Sequence, residues 1–225
     1  EATLRSRDEF LIAVAHELRT PITALLGYGQ MMRRHFDHGH ANPERDQRII
    51  QAILVQGERI NRLTNTMISM YRLAEDSLKL KREPIDLRFE LARVASQLEL
   101  LTDQHPLTTE LPAVPLMIDG DDQALEQVFY NLVQNAIKYS PAGGTITVRL
   151  GREGEWARLL VSDEGIGIPE QALPNLFKRF YRAPNTEEHH ISGMGVGLFV
   201  VREIVQLHGG DIHVESTEGK GTTVT

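Results

Sequence analysis

The sequence predicts an all-α helical hairpin, completed to a four-helix bundle in a dimer, followed by an α/β sandwich. Three observations carry this. Up to about Leu80 the apolar residues recur at spacings of three, four and seven. Glu83-Pro84 then stops the helical rhythm. From Ile85 onward helical periods mix with short alternating runs bounded by turn residues. The expected domains are therefore 1–83 and 84–225.

In the first helix, Leu11, Val14, Leu18, Leu25, Tyr28 and Met32 form the apolar stripe. The run HFDHGHANP, His35 to Pro43, is rich in turn formers. Asn42 is a plausible N-cap for a second helix, with Pro43 at its first position. That helix keeps a heptad through Ile49, Ile53, Gln56, Ile60, Leu63, Met67, Met70 and Ala74. Gln56 alone is polar in this seam, a device that often sets register or oligomer state. A single hairpin buries little apolar surface, and a two-fold homodimer is the simplest remedy.

In the second domain, Leu87–Leu101 and Asp121–Tyr139 read as helices, the latter opened by an acidic cap. Leu107–Leu111 and Leu116–Ile118 are short strand candidates. Thr145–Leu150 and Trp156–Val161 alternate around Arg152-Glu153-Gly154 as a hairpin. A helix over Val196–His208 ends at Gly209-Gly210. A last hairpin joins Asp211–Glu215 to Thr222–Thr225. The expected architecture is one mixed sheet with helices on one face.

Bulk properties narrow the function. The net charge of -7 argues against a nucleic-acid binder, which would carry a basic stripe. The chain has no cysteine, which excludes disulfides, thiol catalysis and Cys-ligated zinc. No apolar run is long enough to span a bilayer. The chain opens on Glu1 and stops at Thr225 within an expected strand. A longer protein is therefore expected, with room upstream for a sensor or a membrane anchor.

Several segments carry chemistry. His16 lies two residues past Val14, so it points away from the apolar stripe. Near neutral pH an imidazole retains a lone pair that can attack. The adjacent Glu17 could hold the other ring N–H. Pro21, after Thr20, removes a backbone donor and should bend or loosen the helix. Asn131, Asn135 and Lys138 fall at i, i+4 and i+7, a polar stripe opposite Val128, Leu132, Val133 and Ile137. Amide oxygens suit a hard cation that also binds phosphates, and a lysine adds positive charge. DEGIGIP, Asp163 to Pro169, follows an apolar strand. Its glycines allow a tight turn close to a flat ligand, and Asp163 offers an acceptor for an exocyclic amine. Gly193, Gly195 and Gly197 precede a helix, where backbone N–H groups can cradle phosphate. This repeat lacks the setting of a Rossmann fingerprint and the ending of a P-loop. Between the glycine loops, LFKRFYR offers Lys178, Arg179 and Arg182, and Ala183–Ser192 has the composition of a mobile lid. The loop histidines His35, His38, His40, His189 and His190 need no metal to explain them.

In this order the segments resemble the sensor histidine kinases over nearly the whole chain. FLIAVAHELRTP resembles the phosphoacceptor box, NLVQNAIKYSPAGG the asparagine box, DEGIGIP the first glycine box and LFKRFYR the phenylalanine box. GMGVGLFVVREIVQLHGG resembles the second glycine box and GKGTT the last. The resemblance implies a Bergerat-type ATP-binding domain using ATP and Mg2+. It implies that Asn135, assisted by Asn131, ligates the metal, with Lys138 and Tyr139 flanking the nucleotide. Asp163 would bind the adenine amine, and Gly165 and Gly167 would shape its pocket. Gly193, Gly195, Gly197 and Leu198 would anchor the lid at the phosphates. Arg179, Arg182 and Thr222 complete the expected nucleotide set. His16 would accept the γ-phosphoryl group with Glu17 as base, and Thr20 matches a position implicated in dephosphorylating the partner. The implied partners are a second copy of the chain, a response regulator's receiver domain and an upstream sensor. The chain would be a cytoplasmic portion of a protein that such families often anchor in the membrane. Glu164 departs from the family's usual Asn or Asp. The same nucleotide fold also serves chaperone-like and gyrase-like ATPases, and a dimeric scaffold could bind ATP without transfer. The His-Glu pair on a helix and the two asparagines favour the kinase.

Overall fold

The computed structural model describes residues 2–37, 42–74, 78–99, 105–191 and 193–225; for residues 2–13, 16 and 74 it describes the backbone alone. The chain forms two compact units, Glu1–Arg72 and Leu73–Thr225.

The first unit is the expected hairpin of α1 (Ala2–Asp37) and α2 (Pro43–Ala74). Asn42 caps α2: its Oδ1 accepts the Arg45 N–H at 3.1 Å and its backbone carbonyl accepts the Asp46 N–H at 2.9 Å. His35 Nδ1 lies 3.1 Å from Asp46 Oδ1, tying the end of one helix to the start of the other. His38 and His40 lie outside the described residues. α1 runs unbroken through Pro21, which is fully buried. Val14, Leu18, Leu25, Tyr28 and Met32 of the predicted stripe are half-buried, and Ile49 of the α2 seam is buried. Other apolar side chains remain in water, including Ile22, Leu26, Phe36, Leu54 and Tyr71, with Phe36 73% exposed. No described helix is long and apolar enough to cross a membrane.

The second unit contains β1 (Glu83–Asp86), α3 (Leu87–Glu99), β2 (Leu107–Glu110), β3 (Met117–Gly120), α4 (Asp122–Lys138), β4 (Ile146–Glu153) and β5 (Trp156–Asp163). A 3-10 turn over Glu170–Asn175 follows, then α5 (Asn185–Glu188), α6 (Gly197–Leu207), β6 (Val214–Thr217) and β7 (Gly221–Val224). The main sheet has the order β2-β4-β5-β7-β6. Only β2 and β4 run parallel within it. Ile146, Val148 and Leu150 alternate inward along β4 and are buried. β4 packs on α4, which in turn packs against α3 and α6; on these helices Leu91, Val94, Val133, Val200, Val201 and Ile204 are almost fully buried. Asp121 caps α4 as predicted, accepting the Ala124 N–H at 3.0 Å.

Two features differ from the sequence reading. β1 and β3 form a separate antiparallel ribbon rather than joining the sheet. Residues 81–83, assigned from sequence to the first domain, are bonded into the second unit. The Lys81 N–H donates to Asp121 Oδ2 at 2.7 Å, and Arg82 Nη2 donates to the Leu207 carbonyl at 2.7 Å.

A carboxylate locks the start of α3. Asp86 Oδ1 accepts the N–H groups of Leu116 and Arg88, and Oδ2 takes Arg88 Nη2 at 2.8 Å. The Arg88 guanidinium is the main cause of a carboxyl pKa lowered to about 2. A carboxyl depressed in the folded state stabilises the fold above its unfolded value of about 4, and that contribution is lost as pH falls toward about 2. Asp86→Asn should therefore lower the melting temperature at neutral pH, with the difference from wild type closing by about pH 2. A melting series against pH reads this; a difference that does not change with pH would show that the ion pair is not its source.

Candidate active site

α4 supplies the centre of the site. Its polar stripe carries Asn131 and Asn135, both half-buried, one turn apart. Asn131 Nδ2 is buried and has no hydrogen-bond partner among the described residues. The second glycine loop lies directly against this stripe. A Cβ added at Gly197 would lie 3.8 Å from Asn131 Oδ1, and one at Gly193 would lie 2.4 Å from Lys138 Nζ. The structure therefore brings Asn131, Lys138, Gly193 and Gly197 together. Lys138 Nζ also sits 5.2 Å from the centroid of the Tyr139 ring. Leu198 is half-buried in the first turn of α6.

Asp163 ends β5. Its Oδ1 accepts the N–H of Gly165 at 2.9 Å and of Thr222 at 3.2 Å. Neither bond uses Oδ2, which leaves an acceptor for a ligand. Burial pushes the Asp163 carboxyl pKa up, against the lowering effect of these two N–H groups. The first glycine loop is pressed between two walls. A Cβ at Gly165 would lie 2.1 Å from the Tyr139 carbonyl oxygen. Gly167, at φ +62°, would place a Cβ 2.1 Å from the Thr217 carbonyl oxygen.

The described residues of the segment expected to be a mobile lid, 183–191, include regular structure. They contain α5, and Asn185 and Thr186 within it are buried. Arg182 Nη2 donates to the carbonyl of Ile191 and to Thr186 Oγ1, inside the same segment. Arg179 stacks over the Phe199 ring of α6, 4.5 Å from its centroid. Thus Arg182, expected at the phosphates, holds this segment in shape, while Arg179 packs on α6. Gly195, at φ +67°, packs against the Tyr181 carbonyl oxygen, which a Cβ would approach to 2.7 Å.

In the hairpin unit, His16 falls within α1, but its side chain lies outside the described residues. Glu17 is largely shielded, and its Oε2 lies 4.0 Å from Arg59 Nη2 of α2. Thr20 is exposed.

Residues 6–76 match the family described as His Kinase A (phospho-acceptor) domain, and residues 120–225 match the family described as Histidine kinase-, DNA gyrase B-, and HSP90-like ATPase. The chain belongs to the sensor histidine kinases. Sensor histidine kinase WalK of Bacillus subtilis (strain 168) is 34% identical over 224 residues, covering 98% of this chain and 36% of that protein. Circadian input-output histidine kinase CikA of Synechococcus elongatus is 34% identical over 236 residues, covering 100% of this chain and 30% of that protein. The chain thus spans about a third of the length of these curated relatives. Among solved structures, Acinetobacter baumannii histidine kinase AdeS superposes with a TM-score of 0.59 at 27% identity, covering 93% of this chain and 95% of that one.

Sequence reasoning missed several residues that shape the site of this histidine kinase core. Ser216 Oγ accepts the Ile168 N–H at 2.9 Å and donates to the Gly221 carbonyl at 2.8 Å, joining the first and last glycine boxes. His105 Nε2 lies 2.8 Å from the Ser140 carbonyl, beneath the end of α4. Glu164, the departure from the family pattern, turns outward, and its Oε2 accepts the Thr145 N–H at 3.1 Å. None of these shows a local pattern. Ser216 and His105 act across 48 and 35 residues of chain.

Proposed function

We propose that this chain is the phosphotransfer core of a sensor histidine kinase, moving the γ-phosphoryl group of Mg-ATP to His16 and from there to an aspartate of a response regulator. The observation that carries the reading is the buried, unpartnered amide of Asn131 beside the second glycine loop and Lys138 Nζ. A buried donor without a partner costs about 1–3 kcal/mol, which a phosphate oxygen would recover. Its carbonyl side, with that of Asn135, suits Mg2+. At the other end of the site, Asp163 Oδ2 suits an exocyclic amine. When bound, ATP with Mg2+ supplies the phosphoryl donor and offsets its charge.

The chain's own residues do the rest. Asn131 and Asn135 hold the metal, and Lys138, Arg179 and Arg182 add positive charge. Asp163, Gly165, Gly167 and Thr222 orient the base. Gly193, Gly195, Gly197 and Leu198 bring backbone close to the phosphates, and Tyr139 flanks the nucleotide. The His16 imidazole forms a P–N bond as the bond from γ-phosphorus to its bridging oxygen breaks. Glu17 takes the ring proton, and Arg59 holds the Glu17 carboxylate in place. Thr20 serves the reverse reaction on the regulator. His16 and the nucleotide residues lie in different units, so transfer requires the second unit to be delivered to His16. A second copy covers the exposed apolar side chains of α1 and α2, completing a four-helix bundle. An upstream sensor, joined through α1 and membrane-anchored in the full protein, biases this delivery.

Incubation with γ-labelled ATP and Mg2+ tests the proposal, beside His16→Ala and Asn135→Ala. Label should appear on the wild type alone, stable in base and lost in acid, on a protein of dimeric mass by light scattering. Equal labelling of His16→Ala would overturn the acceptor. Nucleotide binding without any label would favour a scaffold.

A further inference from the structure

The segment between the two glycine loops reads as a loop by composition, yet two polar side chains in it are buried: Asn185 is 4% exposed and Thr186 5%. They are used differently. Thr186 serves its own segment. Its Oγ1 donates to the Ala183 carbonyl at 2.7 Å and accepts Arg182 Nη2 at 3.3 Å. Asn185 reaches out. Its Nδ2 donates to the Gly167 carbonyl at 3.0 Å, eighteen residues back in the first glycine loop. Its Oδ1 is buried and unpartnered.

That pattern argues against a purely stabilising role. An apolar side chain of the same size would remove the unmet Oδ1 but take the donor from the buried Gly167 carbonyl, so stability alone does not select the amide. What the amide adds is the bond to Gly167. Gly167 is closely packed: at φ +62° a Cβ on it would meet the Thr217 carbonyl oxygen, and the neighbouring Ile166 carbonyl accepts the Gly219 N–H at 2.8 Å. The residues leading into this segment, Phe180 and Tyr181, meet the second glycine loop. A Cβ on Gly195 would fall 2.7 Å from the Tyr181 oxygen and 2.8 Å from the Phe180 carbonyl carbon. The stretch from Phe180 to Asn185 therefore touches both glycine loops.

We propose that Asn185 is a positioning residue, a latch joining this segment to the first glycine loop so that the base end and the phosphate end of the site move together. The proposed benefit to nucleotide binding rests on the ATP reading above; the latch itself can be read in the free protein. The backbone bonds to follow are those from the N–H of His189 to Asn185, of His190 to Glu187 and of Ile191 to Thr186. Asn185→Leu removes the latch and the unmet acceptor together. It should change the melting temperature little, since the unmet Oδ1 goes as the Gly167 carbonyl loses its donor, while hydrogen exchange at these three amides becomes about tenfold faster without nucleotide. Mg-ADP should bind about tenfold more weakly by calorimetry. Asn185→Asp, the same shape without the donor, gives the same exchange readout should the leucine variant fail to fold. Exchange at the wild-type rate in the folded variants would overturn the latch. Absence of Mg-ADP binding by the wild type would instead overturn the nucleotide reading, with the exchange comparison still deciding the latch.

Discussion

Asp163→Asn should abolish nucleotide binding while leaving the second unit as stable as the wild type or more so. The bonds that hold the carboxylate in the fold both end on Oδ1, from Gly165 at 2.9 Å and Thr222 at 3.2 Å. An asparagine carbonyl accepts both. The atom it changes is Oδ2, which becomes an NH2 donor. Against the exocyclic amine of adenine, the site would then present donor to donor. Sites built to pair with a polar group discriminate by factors of about 10^2 or more when the pairing fails. The variant should thus bind Mg-ATP at least about a hundredfold more weakly by calorimetry. Stability should move the other way. Burial raises the Asp163 carboxyl pKa, so the charged form is costlier in the folded state than in the unfolded one. That cost is absent below the unfolded pKa of about 4, grows as pH rises, and is complete above the raised folded value. The variant should melt at a higher temperature at neutral pH, and the two proteins should converge below about pH 4. Undiminished binding by a folded Asp163→Asn protein would remove Asp163 from the nucleotide site.

How much of this was legible in sequence depended on whether a feature is local. The heptad through Ile49 and Met70, the Asn42 cap and the Asp121 cap all act within a few residues, and each appears where periodicity and capping chemistry placed it. The β4–β5 hairpin was readable because alternation and a turn coincide. The β1–β3 ribbon was not. β1 has four residues, includes Pro84 and buries only Ile85, so no alternation marks it. The segment after Arg182 was read as a mobile lid because its residues are polar. Its order comes from Asn185 and Thr186 turned inward, and composition does not report direction. From sequence Glu164 is only a departure from the family's usual Asn or Asp. The structure gives its carboxylate to the Thr145 N–H. Arg179 and Arg182 were read for their charge, whereas stacking on Phe199 and bonding within the segment depend on the completed fold. The glycine motifs were legible as a set; which wall each glycine faces was not.

Those walls set the second large effect. Gly165→Ala should destabilise the second unit and disable the site, whereas Gly151→Ala should be nearly silent. Neither glycine has a backbone angle reserved for glycine, so the contrast isolates space. At Gly165 a methyl group would lie 2.1 Å from the Tyr139 carbonyl oxygen and 2.7 Å from Ser140 Oγ. Neither neighbour is free to yield. The Tyr139 carbonyl accepts the Ile166 N–H at 2.9 Å. Ser140 is 1% exposed, its Oγ donates to the Ala136 carbonyl at 2.8 Å, and its own carbonyl lies 2.8 Å from His105 Nε2. Room for the methyl must come from moving the loop, and Asp163 is two residues away. Overpacking of this kind costs about 1–3 kcal/mol, or roughly 2–12 °C for a unit of this size. Displacement of Asp163 from its two backbone donors should weaken Mg-ATP binding at least about tenfold. At Gly151, in β4, a methyl group meets nothing within 4 Å. Alanine there also restricts the unfolded chain, which favours folding by about 0.4–1 kcal/mol. Melting curves and calorimetry on the two variants decide the matter. If Gly165→Ala melts and binds like Gly151→Ala, the first glycine loop does not rest on the end of α4 as tightly as these distances require.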